Sequence, residues 1–275
     1  MATIIGNGYT GTTQPLTSPR VCYQSFAVDS TSASGGSAAG TSTDWVTDGE
    51  TWSVWTAGAT TTTINITFGA TAVAIDYVGI AAHTLGSTGA DVQLAFQLTD
   101  GGAYVTRPDV GSHTPADDGA ILWLFDRRDV FGVQIQISGG TAAASVAVFQ
   151  AGQAFEFPRA STFLGLPISE AAQISYRHQR SIRGDVLGRT VEGAELQFEV
   201  AIANLPETFR TGTDWQGFKA HVQDVGPFFI APRPAAYTDD VAYARLTDQP
   251  RFNRDVPNRR ASGSVALSCM GYLAP

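Results

Sequence analysis

The first half of the chain alternates between apolar and polar residues. Ile64, Ile66 and Phe68, then Val92, Leu94, Phe96 and Leu98, then Val133, Ile135 and Ile137, then Val146 and Val148 occupy every second position, with Thr, Gln and Asn prominent between them. A period of two with one polar face predicts antiparallel strands buried on one side. Two segments, Tyr77 to Ala82 and Ile121 to Phe125, run apolar without that break and suit central strands covered on both faces. Glycine-rich turns at Gly86 to Gly89, Gly101-Gly102, Asp117 to Gly119 and Gly139-Gly140 separate the runs, and no convincing helix lies among them. Short strands punctuated in this way predict a β-sandwich or jelly roll.

The second half reads differently. Leu196, Phe198, Val200 and Ile202 mark a long strand, preceded by a turn-rich segment from Gly184 to Gly193. The best helix pattern in the chain follows. Trp215, Phe218, Val222 and Val225 form one apolar stripe, with Thr213 as an expected N-cap, Gln216 completing a capping box, and Gly226-Pro227 as the stop. Phe228-Phe229-Ile230, Val241 to Leu246 and Ser264 to Tyr272, where Val265, Leu267 and Cys269 share a face, predict further strands. The Trp215, Phe218, Val222 and Val225 stripe is expected to pack on this sheet together with Phe228 and Phe229. The fold class expected is therefore mainly β: an antiparallel jelly roll joined to a second β-rich domain carrying one helix.

At 275 residues the chain is long enough for two domains, each with a real core. Charge divides it as well. Residues 1–158 carry four Arg against thirteen acidic residues, and residues 159–275 carry thirteen basic against twelve acidic. The formal net charge of −8 argues against wrapping nucleic acid, which requires a basic surface. Lys219 is the single lysine, a preference for arginine that reads first as genomic base composition. Cys22 and Cys269 match no metal spacing and are expected to be two buried thiols. The opening residues, Met1 to Tyr9, lack the pattern of a secretory leader, and no run of about 18 apolar residues predicts a membrane-spanning helix, so a soluble product made in a cytoplasm is expected.

Several stretches resemble known families. Trp45-Val46-Thr47-Asp48-Gly49 with Trp55, Ile75 to Ile80, and Phe131 to Gly139 resemble discoidin-like, galactose-binding-type jelly rolls, over roughly the span Asp44 to Gly152. That resemblance implies a module binding glycans through loops at one end, or acting as a spacer, and it implies a core place for Trp55. Pro15 to Val21, the Leu196 strand, the Trp215 helix, Gly226 to Ile230, Val241 to Ala244 and Gly263 to Tyr272 resemble, in order, the hub domain of siphophage and prophage distal tail proteins. This second resemblance implies a ring, hexameric by family analogy, contacting tail-tube and tail-tip proteins at the virion tail tip. Together they imply that residues 1–26 complete a hub-like domain of residues 158–275, with the jelly roll of residues 27–157 inserted. Ser30 to Thr43 and Phe157 to Gly165 are the expected connecting loops, and a fragment of residues 27–157 is expected to fold alone.

The residues hold little catalytic promise. His83, His113, His178 and His221 are scattered, none within metal-ligand spacing of another His or Cys, so no metal or cofactor is expected. No nucleophile elbow, phosphate-binding loop or dinucleotide fingerprint occurs. Asp117-Asp118, Asp126 with Asp129, and Asp239-Asp240 read as turn aspartates before they read as a glycosidase pair or a calcium site. Trp45 and Trp52 are the candidate carbohydrate-binding residues, Trp52 the better because Thr51 and Ser53 flank it. The leading expectation is a non-enzymatic structural subunit of a bacteriophage tail tip or baseplate, assembled in the host cytoplasm, whose jelly roll contributes to host-surface attachment. The alternatives are a carbohydrate-binding protein that builds no ring and, further behind, a tail-associated glycan hydrolase.

Overall fold

The computed structural model describes residues 1–162, 167–183, 185–254 and 262–274. Three β-sheets and one helical layer stack in sequence. The front sheet orders its strands Ser30–Ser34, Thr62–Thr67, Gly132–Ser138, Asp91–Gln97 and Tyr104–Thr106. The middle sheet runs Ala2–Ile5, Ile121–Val130, Val73–His83, Ser145–Gly152 and Trp55–Thr56. The base sheet runs Phe155–Glu156, Arg20–Cys22, Phe228–Ala231, Ala242–Leu246, Ser262–Gly271, Val186–Pro206 and Ala172–Arg180, with Arg251–Arg254 paired beside Ser262–Gly271. Neighbouring strands pair antiparallel except Ala2–Ile5, which runs parallel to Ile121–Leu124. The architecture is a mainly β antiparallel sandwich with few helices.

Each layer contact follows from side-chain alternation. Front and middle sheets enclose a core in which Ile64, Ile66, Leu94, Phe96, Val133 and Ile135 meet Val78, Ile80, Ile121, Trp123 and Phe125. The intervening residues of the middle sheet, Tyr77, Ala81, Leu122, Leu124 and Val148, point the other way, onto Cys22, Phe229, Ala231, Val241 and Tyr243 of the base sheet. The unbroken apolar runs are explained by this double coverage. Gly79 is part of the same fit, because a Cβ there would lie 2.5 Å from the Phe229 ring.

The other face of the base sheet, including Val21, Phe228, Ile230, Val200, Ile202, Val265, Leu267 and Cys269, packs on Trp215 and Phe218 of the Thr213–Gln223 helix. Cys22 and Cys269 are both buried and unpaired. Val222 is partly buried against this core, but Val225 lies beyond the helix end, at φ +58°, and is exposed. The expected stripe therefore stops one turn early. The expected cap is also displaced: a short helix, Glu207–Thr211, precedes, Gly212 takes the cap position, and Thr213 is already helical with no side-chain cap bond. Gln216 instead donates to the Arg210 carbonyl at 2.5 Å.

Three segments differ from the sequence expectation. Ser30–Ser34, expected within a connecting loop, is the edge strand of the front sheet, paired with residues 63–67. Residues 2–5 do not join the base sheet. Their pairing with Ile121–Leu124 lets Ile4 pack into the front core and Ile5 against the layer below. The segment expected to be turn-rich before Leu196 is extended strand from Val186 onward, and Gly184 lies outside the described residues, as do residues 163–166 of the second connecting loop.

Val21 pairs with Phe155 and Arg20 with Glu156, so the chain leaves the base sheet after Cys22 and returns beside the same strand. A buried ionic lock marks this junction. The wholly buried Arg20 donates to the carbonyls of Gln14 at 2.6 Å and Ser18 at 3.1 Å and lies 3.4 Å from Glu156. The Glu156 carboxylate accepts the backbone N–H groups of Thr12, Thr13 and Gln14 at 2.8–3.0 Å. Burial pushes its pKa up, but the Thr13 hydroxyl, Arg20 and these amides outweigh burial and hold it below the usual carboxylate range.

Candidate functional site

Two surface features carry exposed aromatic or apolar side chains that the fold itself does not use. One is a cleft of about 320 Å³ at the junction of the sandwich and the base sheet, lined by Gly49, Glu50, Thr51 and Trp52 and by residues of the base sheet. Its jelly-roll side is built locally. The Ser42 side chain accepts the Asp44 N–H at 3.3 Å and starts a single 3-10 turn, Thr43–Thr47, anchored by buried Val46. Asp48 then accepts the Glu50 N–H at 2.8 Å, and Gly49 between them has φ +78°, a backbone conformation that favours glycine. This bend aims the Gly49 carbonyl at the Tyr243 hydroxyl, which donates to it at 2.6 Å. Burial drives the Tyr243 pKa well above its ordinary value, so the phenol stays protonated as that donor.

One residue further, Glu50 faces Arg245 at 3.4 Å. Trp52 then projects with 79% of its surface exposed. The opposite wall is supplied by Glu195, Arg245, Met270 and Tyr272. Glu195, Arg245 and Met270 come from three strands brought side by side by the pairs Arg245↔Met270 and Leu196↔Gly271, and Tyr272 follows directly after the last of them. Gln197 donates to the Glu195 carboxylate. Sequence reasoning found Trp52 and missed this wall, whose residues are distant in sequence and share no motif.

The other aromatic candidates separate. Trp55 is fully buried, its indole N–H donating to the Ser37 hydroxyl at 2.7 Å. Trp45, at 37% exposure, does not line the cleft. Asp117 and Asp118 act in turns: Asp117 accepts the Gly119 N–H and the chain's amino terminus, and Asp118 accepts the Ser87 N–H. Among the described residues no group of three His, Cys, Asp or Glu is placed to hold a metal ion.

The second feature is a two-stranded ribbon at the edge of the base sheet. Every residue of Ala172–Arg180 is exposed, and its partner is the first half of Val186–Pro206. Ile174 pairs with Ala194 and Tyr176 with Val191, which places Ile174, Tyr176 and Val191 on one open apolar face. Arg189 lies over the Tyr176 ring at 4.6 Å. Leu187 and Ile182 are exposed toward the tip, Ile182 completely. The tip is organised by Ser181, whose hydroxyl accepts the Arg183 and Asp185 N–H groups at 3.2 and 3.1 Å, while its own N–H donates to the Asp185 carbonyl at 2.8 Å. Nothing in the sequence pattern announced this arm, because its apolar residues are interleaved with arginines and lack a clean alternation.

Several solved structures are similar to part of this chain. The structural neighbours are carbohydrate-binding modules. One is a pectin-binding module, 14% identical, covering 46% of this chain and 91% of its own with a TM-score of 0.38. Another is the CBM32 of AlyQ in complex with 4,5-unsaturated mannuronic acid, 13% identical, covering 46% and 97% with a TM-score of 0.38. A third is chitosan-binding module 1 of a chitosanase/glucanase from Paenibacillus sp. IK-5, 17% identical, covering 46% and 98% with a TM-score of 0.41. No family model matches the chain, and no curated protein matches it.

Proposed function

We propose that the chain is a structural subunit that assembles with copies of itself into a ring, as a component of a tail tip or baseplate, with the jelly roll of residues 27–157 carried as an insertion on the outside of a ring-forming base. The observation that carries this reading is the arm. A two-stranded ribbon has marginal stability by itself, and apolar side chains gathered on an open face mark a surface that another protein covers. Charge favours a second copy as that protein. Residues 172–194 hold four arginines against two acidic residues, whereas the remainder of the chain holds thirteen basic against twenty-three acidic residues. A basic arm on an acidic body is complementary to its neighbour, and a head-to-tail ring of such contacts closes without leaving an arm free. The order of elements in the base, which resembles a distal-tail hub, supports placing that ring at a virion tail tip, with hexameric order. Electron microscopy of the purified full chain tests the proposal: closed rings with the sandwich at the periphery support it, and single particles of monomer size overturn it.

A second reading, compatible with the first, is that the jelly roll contributes glycan binding, and it rests on the exposure of Trp52 at the rim of a walled cleft. An indole face held in solvent is a platform for a sugar ring. Screening the full chain and Trp52→Ala against immobilised glycans tests it: retention that disappears in the variant supports the reading, and no retention of either overturns it.

A further inference from the structure

We infer that the Trp52 cleft is a composite site selective for amino sugars, in which the sandwich supplies the stacking platform and the base sheet supplies the charge; this rests on the glycan-binding reading and names its ligand class. The cleft contains two carboxylates, Glu50 and Glu195, and one guanidinium, Arg245. Arg245 is engaged with both oxygens of Glu50 at 3.4 Å, so this cation and this anion offset one another. Glu195 remains, half-buried, with an amide donor from Gln197. That leaves the cleft with a net negative charge.

A sugar carrying an ammonium group suits this arrangement in two ways. Its charge is attracted to Glu195, and an indole is the aromatic face that best attracts a cation. A uronic acid would place its carboxylate among two others, with the single arginine already occupied. A neutral or N-acetylated sugar would stack on Trp52 and could offer Glu195 a hydroxyl or amide hydrogen bond, but no ion pair. The volume of about 320 Å³ lies at the small end of the ligand-site range of roughly 300–1,000 Å³, which suits a short glycan segment and not an extended chain lying in a long groove. The two halves are held in register by the Tyr243 to Gly49 bond and the Arg245 to Glu50 pair, so the site exists only while the sandwich is seated on the base.

Calorimetric titration of the full-length protein with a glucosamine oligosaccharide, its N-acetylated counterpart and an oligogalacturonate tests the inference. The deacetylated oligomer is expected to bind about fivefold more tightly than the acetylated one at low salt, the worth of one partly exposed ion pair with a cation–π contribution. Trp52→Ala, at an exposed position that folding does not depend on, should abolish binding of both. Glu195→Gln should weaken the deacetylated oligomer to about the level of the acetylated one, which removes the preference. Trp52-dependent binding without preference for the amine, or a preference that survives Glu195→Gln, overturns the amino-sugar inference while leaving the glycan reading intact. Failure of all three ligands to bind in a Trp52-dependent manner overturns both.

Discussion

The middle-sheet strand Val73–His83 and the arm strand Ala172–Arg180 are both long, both antiparallel to their neighbours, and opposite in what covers them. From Ile75 to His83 every residue of the first is buried, because sheets lie on both of its faces. Every residue of the second is exposed. The composition of each anticipates its surroundings. The first carries Ile75, Tyr77, Val78 and Ile80 with small Gly79, Ala81 and Ala82 where the base sheet comes close, and its one carboxylate, Asp76, is paired with Arg127 at 2.8 Å and with the Ala154 N–H at 2.6 Å. The second intersperses Ile174 and Tyr176 with Gln173, Arg177, Gln179 and Arg180. One strand is specified by its own fold. The other is left exposed by its own fold.

The largest effects are expected on the buried side. Trp215→Ala, beneath the base sheet, is expected to cost about 3–5 kcal/mol in denaturant melts, as for other fully buried aromatics. Gly79→Ala drives a methyl into the Phe229 ring and is expected to cost about 1–3 kcal/mol. Unchanged melts for Gly79→Ala would mean that the middle and base sheets are not closely packed. The same packing leads to a different expectation for a fragment of residues 27–157 from the independent folding that its loop-bounded ends implied. That fragment would expose Tyr77, Ala81, Leu122, Leu124 and Val148 to water and would lose the Ala2–Ile5 strand. Aggregation of the fragment, measured by light scattering, is now the expected outcome.

A pH titration sharpens the same contrast. Burial lowers the His83 pKa from 6.5 to about 4, and its Nδ1 accepts the Leu85 N–H at 3.2 Å, a role open only to the unprotonated nitrogen. Between these two values the unfolded chain binds the proton and the folded chain does not, so this contribution is fully present above pH 6.5 and is lost as pH falls toward 4. The slope should approach about 1.4 kcal/mol per pH unit and should flatten in His83→Gln. The smallest effects belong to the surface. Thr213→Ala, once the cap bond is absent, should change stability by less than about 0.5 kcal/mol.

The legible parts of the fold were those written in local periodicity. One alternating segment, Val146 and Val148, fell in the middle sheet and is buried on both faces, which its alternation did not indicate. The other three, at residues 64–68, 92–98 and 133–137, became the front sheet, and the two apolar runs became the doubly covered middle sheet, because burial acts on each residue wherever its neighbours come from. The helix face at Trp215 and Phe218 was legible for the same reason, and its ends were not: Gly212 and the positive φ at Val225 reflect the preceding Glu207–Thr211 helix and the Gly226-Pro227 turn. The cleft was half legible. Trp52 stood out as an aromatic between polar neighbours, but Glu195 and Arg245 meet it only through strand register. The arm was hidden because its apolar residues satisfy no core, and Arg20 because its partners are carbonyls of the preceding loop and a glutamate 136 positions away.

The central claim is that the arm is a preformed contact for a second copy of the chain. Sedimentation velocity of the full-length protein and of the Ile174→Ser/Tyr176→Ser variant, at low and high salt, tests it most directly. The account predicts a discrete oligomer for the unaltered chain that dissociates as salt rises, and a monomer for the variant with an unchanged thermal melt, since both side chains are exposed. A monomeric unaltered chain, or an oligomer that survives in the variant, would contradict it.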